Sequence, residues 1–225
     1  MGDPLSEVPS RARYAFNTRG FGSHQAIIEF VESGTKILDV GCSSGYLMEL
    51  LHSQRGCHCC GIEFDPSTAE QAEKKGFRVL RASIENGAGE LLKLGPFDHV
   101  IFGDVLEHTV NPEKVLNETH QLLAPGGSII VSLPNIVSLM SRLKILLGWW
   151  NYTDMGIMDR THLRFFSYKS ARQLMHDGGF EVERELFVSP LTFHGGRLLE
   201  PVQHFRPNLL ANQFIFKASP LPISR

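Results

Sequence analysis

The 225-residue sequence predicts an α/β protein built on a parallel sheet with helices on both faces. Three observations carry that prediction. Short apolar runs and helical patterns alternate from residue 35 onward. One apolar run, Lys36-Ile37-Leu38-Asp39-Val40, opens into the glycine turn Gly41-Cys42-Ser43-Ser44-Gly45, and a helical pattern starts at once with Tyr46. A strand–turn–helix of that kind places a ligand crevice at the strand's carboxyl end. The length suits one large domain whose core needs no covalent staples.

In order along the chain, an irregular arm precedes a helix expected over residues 23–33. Strands are expected at 36–40, 57–63, 77–81, 99–103 and 128–133, and helices at 46–53, 67–75 and 112–123. Asn111-Pro112 supplies a cap and a first-turn proline, and Pro125-Gly126-Gly127 a closing turn. After Pro134 the rhythm changes. Residues 136–147 read as an apolar helix ending in Gly148-Trp149-Trp150, followed by a polar loop over 151–161. Residues 168–177 resume as helix and stop at Gly178-Gly179. Two final strands, 180–188 and 212–218, flank a long connection over 190–208.

Charge is nearly balanced, with 22 Lys and Arg against 24 Asp and Glu, so no global field attracts nucleic acid or an anionic membrane. It is unevenly spread. Residues 1–135 hold 11 basic and 17 acidic side chains, a net of −6; the rest hold 11 and 7, a net of +4. That asymmetry points to an anionic small-molecule substrate facing the C-terminal half. No charged-then-apolar leader opens the sequence and no window has the length of a membrane span, so a cytoplasmic location is expected. Cys57, Cys59 and Cys60 crowd one strand on alternate faces, which reads as reduced core thiols rather than zinc ligands.

The turn spacing is D-x-G-x-x-x-G, not the G-x-G-x-x-G of a dinucleotide site. Asp39 puts a negative charge where a pyrophosphate would sit, so a cationic, adenosine-bearing ligand suits the crevice better. Glycine is expected in the turn because a ligand can approach bare backbone closely. Glu63 stands about twenty residues beyond the turn, where an acid meets ribose hydroxyls. Asp65 reads as a helix cap, and Phe64 is a candidate to stack on adenine.

Taken together, ILDVGCSSGYL, GIEFD, FDHVIFGDVLEH and LLAPGGSIIVSLPN resemble, in order and spacing, the motif series of class I S-adenosylmethionine-dependent methyltransferases, over roughly residues 35–188. The resemblance implies a Rossmann-like fold: a seven-stranded mixed sheet ordered 3-2-1-4-5-7-6, the last strand antiparallel, helices on both faces and a lid insertion after strand 5. It implies one methyltransferase domain over 1–225, comprising an arm and helix (1–35), a cofactor-binding core (36–134) and a lid and substrate-facing half (135–225). For the cofactor it places Asp39, Gly41 and Gly45 against the methionine moiety, with Cys42, Ser43 and Tyr46 in the same turn. Glu63, beside Phe64, would bind the ribose, Ser83 and Ile84 meet the adenine edge, and Asp104 flank the methyl-transfer site. Ser43 stands where the common family form has glycine, and Ser83 where many relatives have Asp.

Asp104, Glu107 and His108 are spaced to share one helix face. Ubiquinone-pathway O-methyltransferases are similar at this motif, and there the resemblance implies a divalent metal. LEH is also widespread in members that need none. Loop ordering by hydrogen bonds is therefore preferred, and no metal is assigned. The stretch Asp159-Arg160-Thr161-His162-Leu163-Arg164-Phe165-Phe166 resembles a branch associated with glycan, lipid and secondary-metabolite assembly. His162 is the first candidate for general base, since imidazole titrates near neutrality; His108 and His194 are reserves. Arg160, Trp150 and His194, with His162, are candidate substrate contacts, although Arg160 and His162 could simply tie the loop to the sheet.

Ile136, Leu139, Met140, Leu143, Leu147 and Trp150 form one helical stripe beside Arg142 and Lys144. A lid over a hydrophobic pocket is preferred to contact with a membrane surface, and Tyr14, Phe16 and Phe21 could fold over the cofactor. The expected activity is transfer of a methyl group from S-adenosylmethionine to a small-molecule acceptor, by O-methylation in glycan, lipid or natural-product metabolism. The alternatives are a small-molecule N-methyltransferase, an NAD-dependent oxidoreductase and a non-catalytic cofactor-binding subunit. An N-P-P-Y-type motif and a basic face are lacking, which argues against nucleic acid.

Overall fold

The computed structural model describes residues 22–189 and 204–222. Its elements are α1 (Ser23–Phe30), β1 (Lys36–Val40), α2 (Tyr46–Arg55), β2 (His58–Glu63), α3 (Pro66–Lys74), β3 (Arg78–Arg81), α4 (Ile84–Leu91) and β4 (Phe97–Gly103). There follow α5 (Pro112–Thr119), β5 (Leu123–Pro134), α6 (Leu139–Leu146), α7 (Tyr168–Asp177), β6 (Phe180–Val188), α8 (Pro207–Leu210) and β7 (Gln213–Pro220). Short 3-10 turns at Leu106–His108 and His120–Leu122 join β4 to α5 and α5 to β5. The seven strands form one sheet in the order β3-β2-β1-β4-β5-β7-β6. The first five run parallel, and β7 lies antiparallel to both β5 and β6. This is the expected order, with the last strand reversed.

Strict alternation along the central strands separates two cores, as side chains of period two require. Leu38, Val40, Val100, Phe102, Ile129, Val131, Phe214 and Phe216 face one core. The intervening Ile37, Ile101, Ile130 and Ile215 face the other, where α1 supplies Ala26, Ile27, Ile28 and Phe30. The end of α1 is fastened by charge. Glu32 Oε2 meets His99 Nε2 of β4 at 2.5 Å, and its Oε1 accepts from Lys217 Nζ of β7 at 2.5 Å. Cys57 and Cys60 are buried thiols in these two cores, and burial pushes the Cys60 thiol up to about 11.

The structure departs from the sequence pattern in several places: α1 ends at Phe30 and α5 at Thr119, short of the expected bounds at 33 and 123. Helix α4 was not anticipated, because Gly87 and Gly89 depress its helical pattern. Gly87 is needed for packing: a Cβ there would stand 2.8 Å from Ile62 Cδ1 of β2. Strand β5 begins at Leu123 rather than Ser128. Leu123 pairs with Phe97 and Ser128 with His99, so residues 124–127, including Pro125-Gly126-Gly127, bulge out opposite Asp98 alone. Helix α6 spans only Leu139–Leu146, since Ser138 caps it by accepting from Ser141 N at 3.4 Å. By contrast α7 and β6 have the expected bounds, α7 starting from a reciprocal Ser167–Ser170 capping box. No helix among the described residues is long and apolar enough to cross a membrane.

Candidate active site

The parallel strands β1, β2 and β4 deliver their carboxyl ends to one edge, and the glycine turn rises from β1 there. Gly41 N and Cys42 N both donate to Ile62 O (2.8 and 3.2 Å), and Gly45 N donates to Cys42 O (2.9 Å). Gly41, Ser43 and Gly45 have φ of 68°, 48° and 77°, the left-handed region that favours glycine. Protein packing gives a further reason for glycine here. A Cβ on Gly41 would stand 2.8 Å from Val105 Cγ2, and one on Gly45 would stand 2.9 Å from Ala72 Cβ of α3. Protein atoms alone already require the bare backbone at both positions; Gly41 also borders the cavity below, whereas Gly45 does not.

Around this turn lies a cavity of about 460 Å³, within the range of small-molecule and cofactor sites. Asp39, Gly41, Cys42, Ser43 and Tyr46 form one wall; Glu63 and Phe64 a second; Ser83 and Ile84 a third; Asp104 and His108 close the fourth. Asp39 is buried, and burial, reinforced by the negative charge of Glu63, pushes its carboxyl up to about 8. Glu63 binds backbone on both sides: Oε2 accepts from Ser43 N and Oε1 from Asp65 N, each at 2.9 Å. A carboxylate has about four acceptor positions, so two remain for a pair of hydroxyls. Asp65 caps α3 by accepting from Ser67 N at 2.8 Å. Phe64 is 56% exposed beside the cavity, as a stacking surface requires. Ser83 Oγ accepts from Glu85 N at 3.3 Å at the start of α4. An acidic, nucleoside-sized cleft with exposed aromatic surface fits a cationic adenosine cofactor.

Asp104 has φ of 58°, a strained position for a side chain that tertiary bonds must hold. Ser132 Oγ of β5 donates to its Oδ1 at 2.7 Å, and Gln213 Nε2 of β7 donates to the same oxygen. The carboxylate is thereby fixed to the strands and does not share a helix face with Glu107 and His108, which lie in a 3-10 turn. Instead Glu107, His108 and His162 each bring a ligand-type atom within 4.8 Å of the others. One carboxylate and two imidazoles at that separation could hold a divalent cation or order a proton. Glu107 is buried, its Oε2 has no hydrogen-bond partner among the described residues, and burial, with Asp104 and Asp159 nearby, holds its carboxyl well above the usual range.

His108 is oriented from its far side. Its Nδ1 lies 3.1 Å from Thr161 O and 3.0 Å from Thr161 Oγ1, whose own hydrogen goes to Asp159 Oδ1 at 2.6 Å. A carbonyl only accepts, so Nδ1 carries the proton and Nε2 is the basic nitrogen of the neutral ring. Burial would raise the Asp159 carboxyl, but hydrogen bonds from Thr161 and the nearby His162 and His108 hold it below the usual range. His162 is enclosed. Its Nδ1 donates to Ile157 O at 3.2 Å, its ring packs edge-on against His108 at 4.7 Å between centroids, and it does not border the cavity.

Arg160 pairs with Asp154 at 2.8 Å within its own loop, and Trp150 packs edge-on with Phe165, both away from the cavity. No residue of 136–150 lines the cavity, so the stripe does not roof it here. His194, Tyr14, Phe16 and Phe21 lie outside the described residues. His24 was missed. It lines the cavity edge-on to Tyr46 (5.8 Å), and burial lowers its imidazole while the charge of Asp104 acts the other way. The available signal was positional: a helix leading into a parallel strand runs back along the sheet, so its first turn starts over the carboxyl edge.

This sheet order, with β7 reversed and the acid-lined glycine-turn cleft at its carboxyl edge, defines the class I S-adenosylmethionine-dependent methyltransferase fold. A family profile described as a methyltransferase domain matches residues 16–185, and the chain belongs to that family. A ubiquinone biosynthesis O-methyltransferase of Maricaulis maris is 30% identical over 171 residues, covering 71% of this chain and 65% of that protein. A probable S-adenosylmethionine-dependent methyltransferase of Mycolicibacterium smegmatis is 25% identical over 89% of this chain and 76% of its own length. Among solved structures, an S-adenosylmethionine-dependent methyltransferase of Archaeoglobus fulgidus superposes with a TM-score of 0.59 at 18% identity, over 88% of this chain and 94% of that one. The cofactor of this family is S-adenosylmethionine.

Proposed function

We propose that the protein transfers the sulfonium methyl group of S-adenosylmethionine to an oxygen of a small-molecule acceptor, with His108 as general base. The observation that carries this reading is that His108 borders the same cavity as Asp39, Glu63 and Asp104 with its Nδ1 held as a donor. The cofactor supplies an activated methyl on a positively charged sulfur. Asp39 offers its carboxyl to the methionine end, where the sulfonium charge favours its ionised form, Glu63 its remaining acceptor positions to the ribose, and Phe64, Ser83 and Ile84 the adenine surface. Asp104, locked by Ser132 and Gln213, borders the transfer site.

In the transfer, the acceptor oxygen forms a bond to the methyl carbon as the carbon–sulfur bond breaks. The acceptor's proton passes to His108 Nε2, and Thr161 and Asp159 stabilise the resulting imidazolium from the other side. Alignment of nucleophile and methyl supplies the rest of the acceleration. In this reading the chain acts as one methyltransferase domain, residues 36–134 holding the cofactor and 135–225 meeting the acceptor. O-methylation is favoured over N-methylation because an oriented base is needed for a hydroxyl and superfluous for a neutral amine. The similarity to a ubiquinone biosynthesis O-methyltransferase supports an oxygen acceptor.

Titration calorimetry with S-adenosylhomocysteine and with NAD tests the cofactor assignment: the former binds and the latter does not. Binding of NAD alone would end the reading. For the chemistry, methyl-labelled S-adenosylmethionine and a metabolite extract should yield a labelled ether or ester. Label found only on nitrogen would shift the reading to an N-methyltransferase.

A further inference from the structure

We infer that helix α6 and the Gly148–Tyr152 segment after it form a docking surface for an anionic lipid bilayer. The inference stands apart from the methyl-transfer reading. Ser141 is the only buried residue of α6. Leu143, Ile145, Leu146, Leu147, Trp149 and Trp150 all present apolar surface to solvent, Leu146 at 81% and Trp149 at 60% exposure. A helix apolar around most of its circumference is ordinarily covered, and contiguous exposed apolar surface marks an interaction site.

The chemistry of the patch selects the occupant. Arg142 and Lys144 are the only charged residues between 135 and 153, and both are exposed. Apolar side chains flanked by bases, with Trp149, Trp150 and Tyr152 at one end, match the interfacial region of an anionic leaflet. There leucine side chains enter the acyl boundary, indoles sit at headgroup level and cationic side chains meet lipid phosphates. A second copy of the chain fits less well. Pairing the patch with itself would bring Arg142 and Lys144 against their own counterparts, with no acid in the segment to neutralise them. The surface follows directly from β5, whose Ser132 holds Asp104 at the cavity wall, so docking would set that edge of the sheet close to the membrane.

The protein reports on this surface by itself, because Trp149 and Trp150 are its only two tryptophans. The full chain is mixed with vesicles of equimolar phosphatidylcholine and phosphatidylglycerol. The expected result is a blue shift of tryptophan emission, quenching by bromine-labelled acyl chains and co-sedimentation. Vesicles of phosphatidylcholine alone should bind about ten-fold more weakly or worse. The Leu146→Glu variant and the Arg142→Glu/Lys144→Glu double variant should each lose binding by about ten-fold or more. Their thermal midpoints should stay unchanged, as expected for exposed positions. Absence of both spectral shift and co-sedimentation with anionic vesicles would overturn the proposal. So would vesicle binding undiminished in both variants. A lipid-free blue shift that grows with protein concentration, with a dimeric mass by light scattering, would also overturn it and assign the surface to a second copy.

Discussion

The carboxyl of Asp39, at the end of β1, is pushed up to about 8 by its burial and by the negative charge of Glu63 on the neighbouring strand. Glu63 is itself held in place by Ser43 N and Asp65 N. A cationic ligand beside Asp39 favours release of the Asp39 proton.

Binding of S-adenosylmethionine at pH 7 is thus expected to liberate a proton, and affinity should rise as pH approaches 8. Calorimetry in two buffers of different ionisation enthalpy reads this directly. Equal apparent enthalpies would refute it, and Asp39→Asn should abolish the difference while weakening binding.

The same shift has a stability consequence of opposite direction. A carboxyl raised in the folded state adds stability that is complete below its ordinary value near 3.8 and is lost as pH rises through about 8. Between these limits the unfolded chain ionises and the folded one resists. Ligand-free Asp39→Asn should therefore be more stable than the parent at pH 7 to 8, by a few kcal/mol, and no more stable at pH 4. Urea denaturation at the two pH values checks it; a gain of equal size at both would argue against the buried proton.

Glu63→Ala should remove the acceptor for two backbone donors, Ser43 N and Asp65 N. At about 1–3 kcal/mol for each of the two part-buried donors that lose this acceptor, a stability loss of roughly 2–6 kcal/mol is expected. Affinity for S-adenosylhomocysteine should fall by about ten-fold or more. Loss of affinity with unchanged stability would mean that Glu63 serves the ligand and not the turn.

His108→Ala is expected to lower kcat by about 10²–10⁴-fold with cofactor affinity nearly unchanged. Thr161→Val keeps the carbonyl but removes the hydroxyl link to Asp159, so it should lower kcat less and displace the acid limb of the pH–rate profile. A full-activity His108→Ala enzyme at all pH values would eliminate it as base. His162→Ala, if far more damaging than His108→Ala in a folded protein, would restore His162 to that position.

Gly45→Ala should cost about 1–3 kcal/mol, since it combines a left-handed backbone with a 2.9 Å approach to Ala72. Gly56→Ala is a suitable control, with φ of 65° and nothing within 4 Å of the added carbon. The difference between the two variants, measured by thermal denaturation, isolates the packing part.

Local patterns were sufficient for much of this protein. Alternating apolar runs and helical patterns specified an α/β sheet, the family resemblance of the ordered motifs implied its strand order, and the residues at the strand ends could be read because a turn's backbone is set by neighbours in sequence. Asp39, Ser43, Glu63 and Asp104 were legible for that reason. Helix α4 was not, since its glycines serve contact with β2, a partner remote in sequence. Equally, nothing local distinguishes His108 from His162 or singles out His24. Which imidazole borders the cavity depends on how Thr161 and Asp159 pack behind the turn after β4, and on where Glu32 fastens α1 to β4 and β7. The apolar stripe of α6 was visible as a pattern, but its exposure is a relation to the rest of the fold. The sequence by itself determined the architecture and the cofactor crevice. The orientation of the histidines, the proton on Asp39 and the open face of α6 were decided by tertiary structure, because burial and charge at these residues come from chain segments tens of positions away.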